Sequence, residues 1–325
     1  MSASARNIRL PGFASRAGAT GPTVGQGLLF GLCALAALIS LVVMLEVAYQ
    51  VVSGAHQAIG TIGLPFVVHQ AWAPNFDHYG IAVLLYGTGV TSVMALVIAV
   101  PVGVAIGLYL SQLSGPRVRA VVGPLVELLA AIPTVILGFW GLLVLSPFIS
   151  KHVEPALHNV LGFIPLFGAP QPGGSGLFTA GLILAIMVVP IVASLSRDLF
   201  LAVPPDLQDG AAALGATRWE TIRGVVLPST APGVIAAAVL GLGRALGEAI
   251  AVTQVIGAGT AIHSSLFATG DTMASRLAEN FPGDHPLYTS ALFYLALVLL
   301  VIGLVVNLFA QWLGRRFDSS GVGRT

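Results

Sequence analysis

Six apolar runs, each of a length that crosses a bilayer, constrain this chain more than anything else in it. A spanning helix needs about 20 apolar residues, and such runs occupy 28–52, 81–110, 121–145, 177–194, 234–255 and 287–313. In lipid, a segment must satisfy its own backbone polar groups. The expected fold is therefore all-α, a polytopic membrane protein with six transmembrane helices. Only 8% of the residues are charged, against about 25% in a soluble domain. The first run exceeds the roughly 7–15 residues of a signal-peptide core and reads as an uncleaved membrane helix. A net charge of +1 gives bulk electrostatics no nucleic-acid partner to attract.

Basic residues set the orientation. Arg6, Arg9 and Arg16 stand in the N-terminal tail, Arg117 and Arg119 between the second and third runs, and Arg197, Arg218 and Arg223 between the fourth and fifth. Arg315, Arg316 and Arg324 follow the last run, whereas the three opposite loops hold only Lys151 and Arg276. Both termini and the loop 197–228 are expected on the cytoplasmic side.

The seven histidines fall between the runs on the outward side, and no pair has the i, i+4 spacing of a zinc motif. With Cys33 as the lone cysteine, no metal site and no catalytic residue is expected. Pro101, Pro133 and Pro190 lie inside apolar runs and are expected to kink their helices. Gly103, Gly107, Gly241, Gly243 and Gly247 suit close helix packing in lipid. Glu46 and Glu127 lie towards the ends of their runs, where a carboxylate can reach the interface.

The loop 204–228 reads PPDLQDGAAALGATRWETIRGVVLP. Pro205 suits a first helical position, and Leu207, Ala211 and Leu214 then share one face. Gly215 suits a left-handed helix end. Thr217 and Glu220 have capping-box spacing, so a second helix should begin there and stop at Pro228. The product is two short helices joined at Gly215, with small side chains that permit close approach by another protein. A bland amphipathic connector has the same pattern. A DNA-binding helix-turn-helix does not fit between membrane spans about thirty residues apart.

This loop resembles the EAA motif of permease subunits of bacterial ABC importers, which pairs Glu-Ala-Ala with a following Gly and a later Ile-x-Leu-Pro. Here Asp209, Gly210 and Ala211 stand for Glu-Ala-Ala, Gly215 for the glycine, and Val225, Leu227 and Pro228 for the last element. The resemblance implies coupling helices that sit in a groove of an ATPase. The chain is not its own motor, because a Walker A loop needs Gly-Lys-Ser/Thr and the only lysine, Lys151, follows Ser150. ATP and Mg are expected on the partner ATPase, with no cofactor in this chain.

Arg244 and Glu248 lie within the fifth run. Four residues apart on a helix they would be neighbours on one face. A charge at mid-bilayer costs about 2.5–3.5 kcal/mol even on lenient scales, so ionisable groups there are either paired or functional. Arginine suits a bidentate grip on an oxyanion, while a structural pair locking one span to its neighbours remains the plain alternative. The surrounding GLGRALGEAIAVTQVIG, ELLAAIPTVILGFWGL from Glu127, and SLFATGDTMASRLA from Ser265 are similar to the PstC-type permease of the phosphate-specific ABC importer. In that family the arginine and glutamate, here Arg244 and Glu248, are associated with phosphate passage.

The resemblance implies a type I ABC importer permease core plus one N-terminal helix. It divides the chain into a cytoplasmic tail (1–26), a first transmembrane helix with a periplasmic loop (27–80), a permease domain (81–314) and a cytoplasmic C-terminal tail (315–325). It implies a PstA-like permease as the other half, two copies of an ATP-binding subunit, a periplasmic phosphate-binding protein and membrane lipid as partners. The work would be ATP-driven import of phosphate across the bacterial inner membrane by alternating access. A permease for another oxyanion, sulfate or molybdate, is the nearer alternative. A stand-alone channel or membrane enzyme is the farther one.

Overall fold

The computed structural model describes residues 24–318, with side chains from 28 to 312. Arg6, Arg9, Arg16 and Arg324 lie outside the described residues. Six described helices are long and apolar enough to span a membrane, and the described residues contain no strand longer than an isolated bridge. Helix α1 is Val24–Thr61. Then come α2 (Ala82–Leu113), α3 (Pro116–Ala130), α4 (Thr134–Leu161) and α5 (Leu177–Leu201). The chain continues through α6 (Pro205–Ala213), α7 (Arg218–Gly247), α8 (Ile250–Val255), α9 (Met273–Asn280) and α10 (Pro286–Asp318).

The chain forms two units, residues 1–50 and 51–325. The described part of the first is a bare stretch of α1. Every side chain from Leu28 to Val47 is exposed, the state of a helix whose solvent is lipid. Glu46 accepts a 3.0 Å hydrogen bond from Gln50. It does not lie near a helix end as expected, because the polar residues after the apolar run continue the helix to Thr61.

The second unit is built around α5, whose Ala180, Ile183, Leu184, Met187, Val188 and Val192 are all buried. Helix α2 lies against it at close range. A Cβ on Gly103 would meet the Val192 side chain at 2.8 Å, and one on Gly107 would meet the Arg197 backbone nitrogen at 2.9 Å. Gly241 on α7 is equally tight against Val188 at 2.6 Å. Small residues thus bring three helices together where lipid supplies no hydrophobic force between them. At the C-terminal end of α5, Arg197 forms a 3.0 Å ion pair with Glu127 that ties α5 to α3.

Prolines decide where the spans break, and not all as expected. Pro101 and Pro190 stay inside α2 and α5. Pro133 ends a helix instead of kinking one. The chain leaves α3 at Ala131, Pro133 is extended (φ −57°, ψ 132°), and α4 starts at Thr134. The third span is consequently 134–161 rather than 121–145. Pro228 does the opposite of stopping its helix, since α7 runs through it to Gly247. A wide π-turn at Ile222–Val226 precedes it. Pro147 and Pro155 in α4 likewise follow wide turns, at Gly141–Leu145 and Ile149–Val153. A proline ring clashes with the carbonyl four residues back and offers it no donor. A wide turn displaces that carbonyl and lets the helix continue. No such turn precedes Pro133, nor does one precede Pro101 or Pro190, which their helices absorb without it.

The segments expected on the outward side are also more ordered than a set of solvated loops. His152 and His158 lie in α4, and His56 in α1. Residues 62–81 fold onto the start of α10, where Phe66 stacks on Tyr294 and Trp72 meets Tyr79 and Tyr288 edge-on. Segment 256–272 is held to 162–176 by Leu266 N–H to the Leu166 carbonyl (2.9 Å) and to the start of α5 by Phe178 N–H to the Leu266 carbonyl (2.7 Å). Helix α9 starts from a Thr272–Ser275 capping box, and its Arg276 pairs with the buried Asp271 at 2.5 Å.

Candidate translocation and coupling site

The loop between α5 and α7 folds by the local chemistry of its residues. Pro205 occupies the first turn of α6. The helix ends as a Schellman motif. Ala216 N–H donates to the Ala211 carbonyl (3.1 Å) and Gly215 N–H to the Ala212 carbonyl (2.9 Å), with Gly215 left-handed at φ +88°. Thr217 opens α7 with a complete capping box. The Glu220 carboxylate accepts from the Thr217 N–H at 2.7 Å, and Glu220 N–H donates to the Thr217 hydroxyl at 3.4 Å.

Phe200, Val203 and Val226 form a small buried core beneath the loop. Gln112 reaches the Phe200 carbonyl (3.1 Å) and Gln208 the Val203 carbonyl (3.3 Å). Above this anchor the loop turns large apolar side chains outward. Leu214 is 91% exposed, Trp219 60% and Leu207 52%. Asp209, Gly210 and Pro228 are exposed beside them, with Ala211 and Leu227 half-buried. Large apolar side chains exposed to this degree on one short loop suit contact with another protein.

The membrane charges are arranged differently from the expected pair. Helix α7 stops at Gly247 and Glu248 is extended (φ −75°, ψ 114°), and no ion pair within 4.0 Å joins it to Arg244. Among the described residues, Arg244 has no ion pair within 4.0 Å. It lies in the last turn of α7, where the negative end of the helix dipole favours a cation. Glu248 turns to α8 instead, accepting from the Ala251 N–H at 3.3 Å. Each charge is thus held by a helix end of opposite polarity. Helical periodicity could not have revealed the break after Gly247.

Arg244 is also exposed, and so are Leu240, Gly243 and Gly247 on the same face. A Cβ on Gly243 or Gly247 would meet nothing within 4 Å, unlike Gly241, which packs inward. The open face of α7 therefore pairs an unshielded guanidinium with bare backbone. Lipid is a poor neighbour for that cation, which needs protein or a wet cavity.

A sequence profile of binding-protein-dependent transport system inner membrane components matches residues 99–319. The phosphate transport system permease protein PstC of Mesorhizobium japonicum is 41% identical over 291 residues, covering 87% of this chain and 88% of that protein. PstC of Haemophilus influenzae is 40% identical, covering 86% and 89%. Among solved structures, a chain of a bacterial alginate ABC transporter bound to its periplasmic protein superposes with a TM-score of 0.63. Its sequence identity is 20%, covering 92% of this chain and 97% of that one, a likeness of fold.

Proposed function

The chain belongs to the binding-protein-dependent transport system inner membrane components and, among them, to the PstC phosphate permeases; from that membership we propose that it forms one half of an ATP-driven path for inorganic phosphate across the bacterial inner membrane. It is a multi-pass membrane subunit and not an enzyme. An ATPase and a substrate-binding protein are its partners as a member of this family. The finer assembly we propose is a PstA-like permease as the other half, two ATP-binding subunits that hold ATP and Mg, and a periplasmic phosphate-binding protein. Both termini are cytoplasmic in this reading.

The observation that carries the reading is Arg244 on the open face of α7, on the same continuous helix whose first turns carry the coupling surface. Phosphate offers paired oxygens to the guanidinium fork, and among the described residues the cation has no carboxylate partner within 4.0 Å. ATP binding would close the ATPases and push the surface of Leu207, Leu214 and Trp219. Helix α7 would carry that motion to Arg244 and turn the cavity outward. Phosphate would then pass from the docked binding protein, which finds exposed Phe76 and Phe163 on the outward side. Hydrolysis would return the cavity inward.

Two measurements test this. Phosphate-loaded binding protein should stimulate the ATPase of the purified complex, and sulfate- or molybdate-loaded proteins should not. Equal stimulation by a sulfate-loaded protein would make this a permease for another oxyanion. For topology, cysteines at Lys151 and Arg218 in a Cys33→Ala background should react with an impermeant thiol reagent from opposite faces of the membrane. Labelling of both from one face would overturn the orientation.

A further inference from the structure

Two cavities on the outward half of the second unit meet at His263 and Ser264, and they differ in chemistry. One is a groove of about 670 Å³ between Tyr86, Gly89, Val90 and Val93 on one side and Leu166, Ile262 and Leu266 on the other. The α2 residues follow i, i+3, i+4, i+7 spacing, a single helical face. The second cavity, about 300 Å³, is lined by Gln171, His263, Ser264, Ser265 and Thr269, with no carboxylate. We propose that together they form a binding site for one phospholipid of the leaflet at the N-terminal end of α2, with an acyl chain in the groove and the headgroup phosphodiester in the polar cavity.

The dimensions and the polarity agree with this occupant. From Tyr86 to Val93 the groove follows the helix for about 10 Å, within the roughly 15 Å of one leaflet of a 30 Å hydrocarbon core. Val93 at its foot is 60% exposed, which leaves the groove open to lipid. Tyr86 stands near the helix start and donates a 2.7 Å hydrogen bond to the His263 carbonyl. Its apolar ring and polar tip suit the interfacial level where tyrosine is enriched. That bond also fixes the 262–264 segment across the junction of the two cavities. The polar cavity offers hydroxyl, amide and imidazole groups to a phosphodiester, and no acid repels it. A free phosphate would match the polar cavity but leave the groove unfilled, and a partner helix would match the groove but leave the polar cavity unfilled.

The test uses the complete complex in vesicles of phosphatidylethanolamine and phosphatidylglycerol, with a trace of phosphatidylethanolamine bearing a diazirine on an acyl chain. After irradiation, label should appear in peptides containing 86–93 and 262–266. Gly89→Phe should cut that label about tenfold. The Gly89 Cβ position meets nothing within 4 Å, so the ring enters the groove without an internal clash. His263→Ala should weaken labelling while keeping the backbone carbonyl that Tyr86 uses. Excess inorganic phosphate should leave the label unchanged. Three results would overturn the proposal: no label in these peptides in the unsubstituted complex, a cross-link showing another subunit seated there, or loss of label in free phosphate, which would give the polar cavity to the transported ion. The map of the unsubstituted complex decides if a variant fails to assemble.

Discussion

Arg244→Gln is expected to cut phosphate uptake on the order of a hundredfold, the factor set by about 3 kcal/mol of charge-assisted hydrogen bonding, while the subunits still assemble. The side chain lies on an open face and makes no ion pair among the described residues. Removing its charge therefore breaks no internal contact and leaves no carboxylate stranded. Lysine at the same place should rescue only in part, because a point charge replaces a planar fork. Glu248→Gln acts differently. Near neutral pH phosphate still carries a proton that a carboxylate can accept in a hydrogen bond, whereas sulfate carries none. The amide should therefore weaken discrimination against sulfate more than it slows phosphate. Uptake is measured in each variant, with assembly followed by co-purification. Normal uptake in Arg244→Gln, or failure only through lost assembly, would make the residue structural.

Gly215→Leu is expected to uncouple the permease, with uptake falling to background and the ATPase co-purifying poorly. Gly215 sits at φ +88°, where an L-residue with a Cβ costs about 1–2 kcal/mol. A Cβ at the position meets nothing within 4 Å, so the branch point itself causes no clash inside the chain. The harm falls on the angle between α6 and α7 and on the surface flanked by Leu214 and Trp219. Gly215→Asn, which tolerates the left-handed region, should retain much of the activity. Full uptake with normal co-purification in the leucine variant would remove the coupling role from this turn.

The coupling loop was legible in the sequence because its folding is local. Pro205, Gly215 and the Thr217–Glu220 pair each act within a few residues, and each does what its spacing implies. The six spans were legible as apolar runs, but their ends were not. Pro133 and Pro228 look alike in sequence, yet one ends a helix and the other is carried through. A wide turn precedes Pro228 and none precedes Pro133, yet Pro101 and Pro190 are carried through without one, so no local pattern around a proline encodes the outcome. The expected Arg244–Glu248 ion pair is absent among the described residues, and the helix break beside it was hidden for a related reason. Apolar character continues across Gly247 into α8, while the backbone does not stay helical. The Arg197–Glu127 tie joins residues distant in sequence and leaves no periodic trace. The segments 162–176 and 256–272 read as loops because the hydrogen bonds that hold them use backbone atoms common to every residue.

Phosphate uptake into proteoliposomes tests most directly whether this chain is half of an ATP-driven path. The complete complex, with ATP on the ATPase side and phosphate-loaded binding protein on the other, is expected to accumulate phosphate against its gradient. The permease subunits without the ATPase are expected to pass none. Phosphate flux through this chain alone, down a gradient and without ATPase or ATP, would contradict that expectation and make the protein a channel.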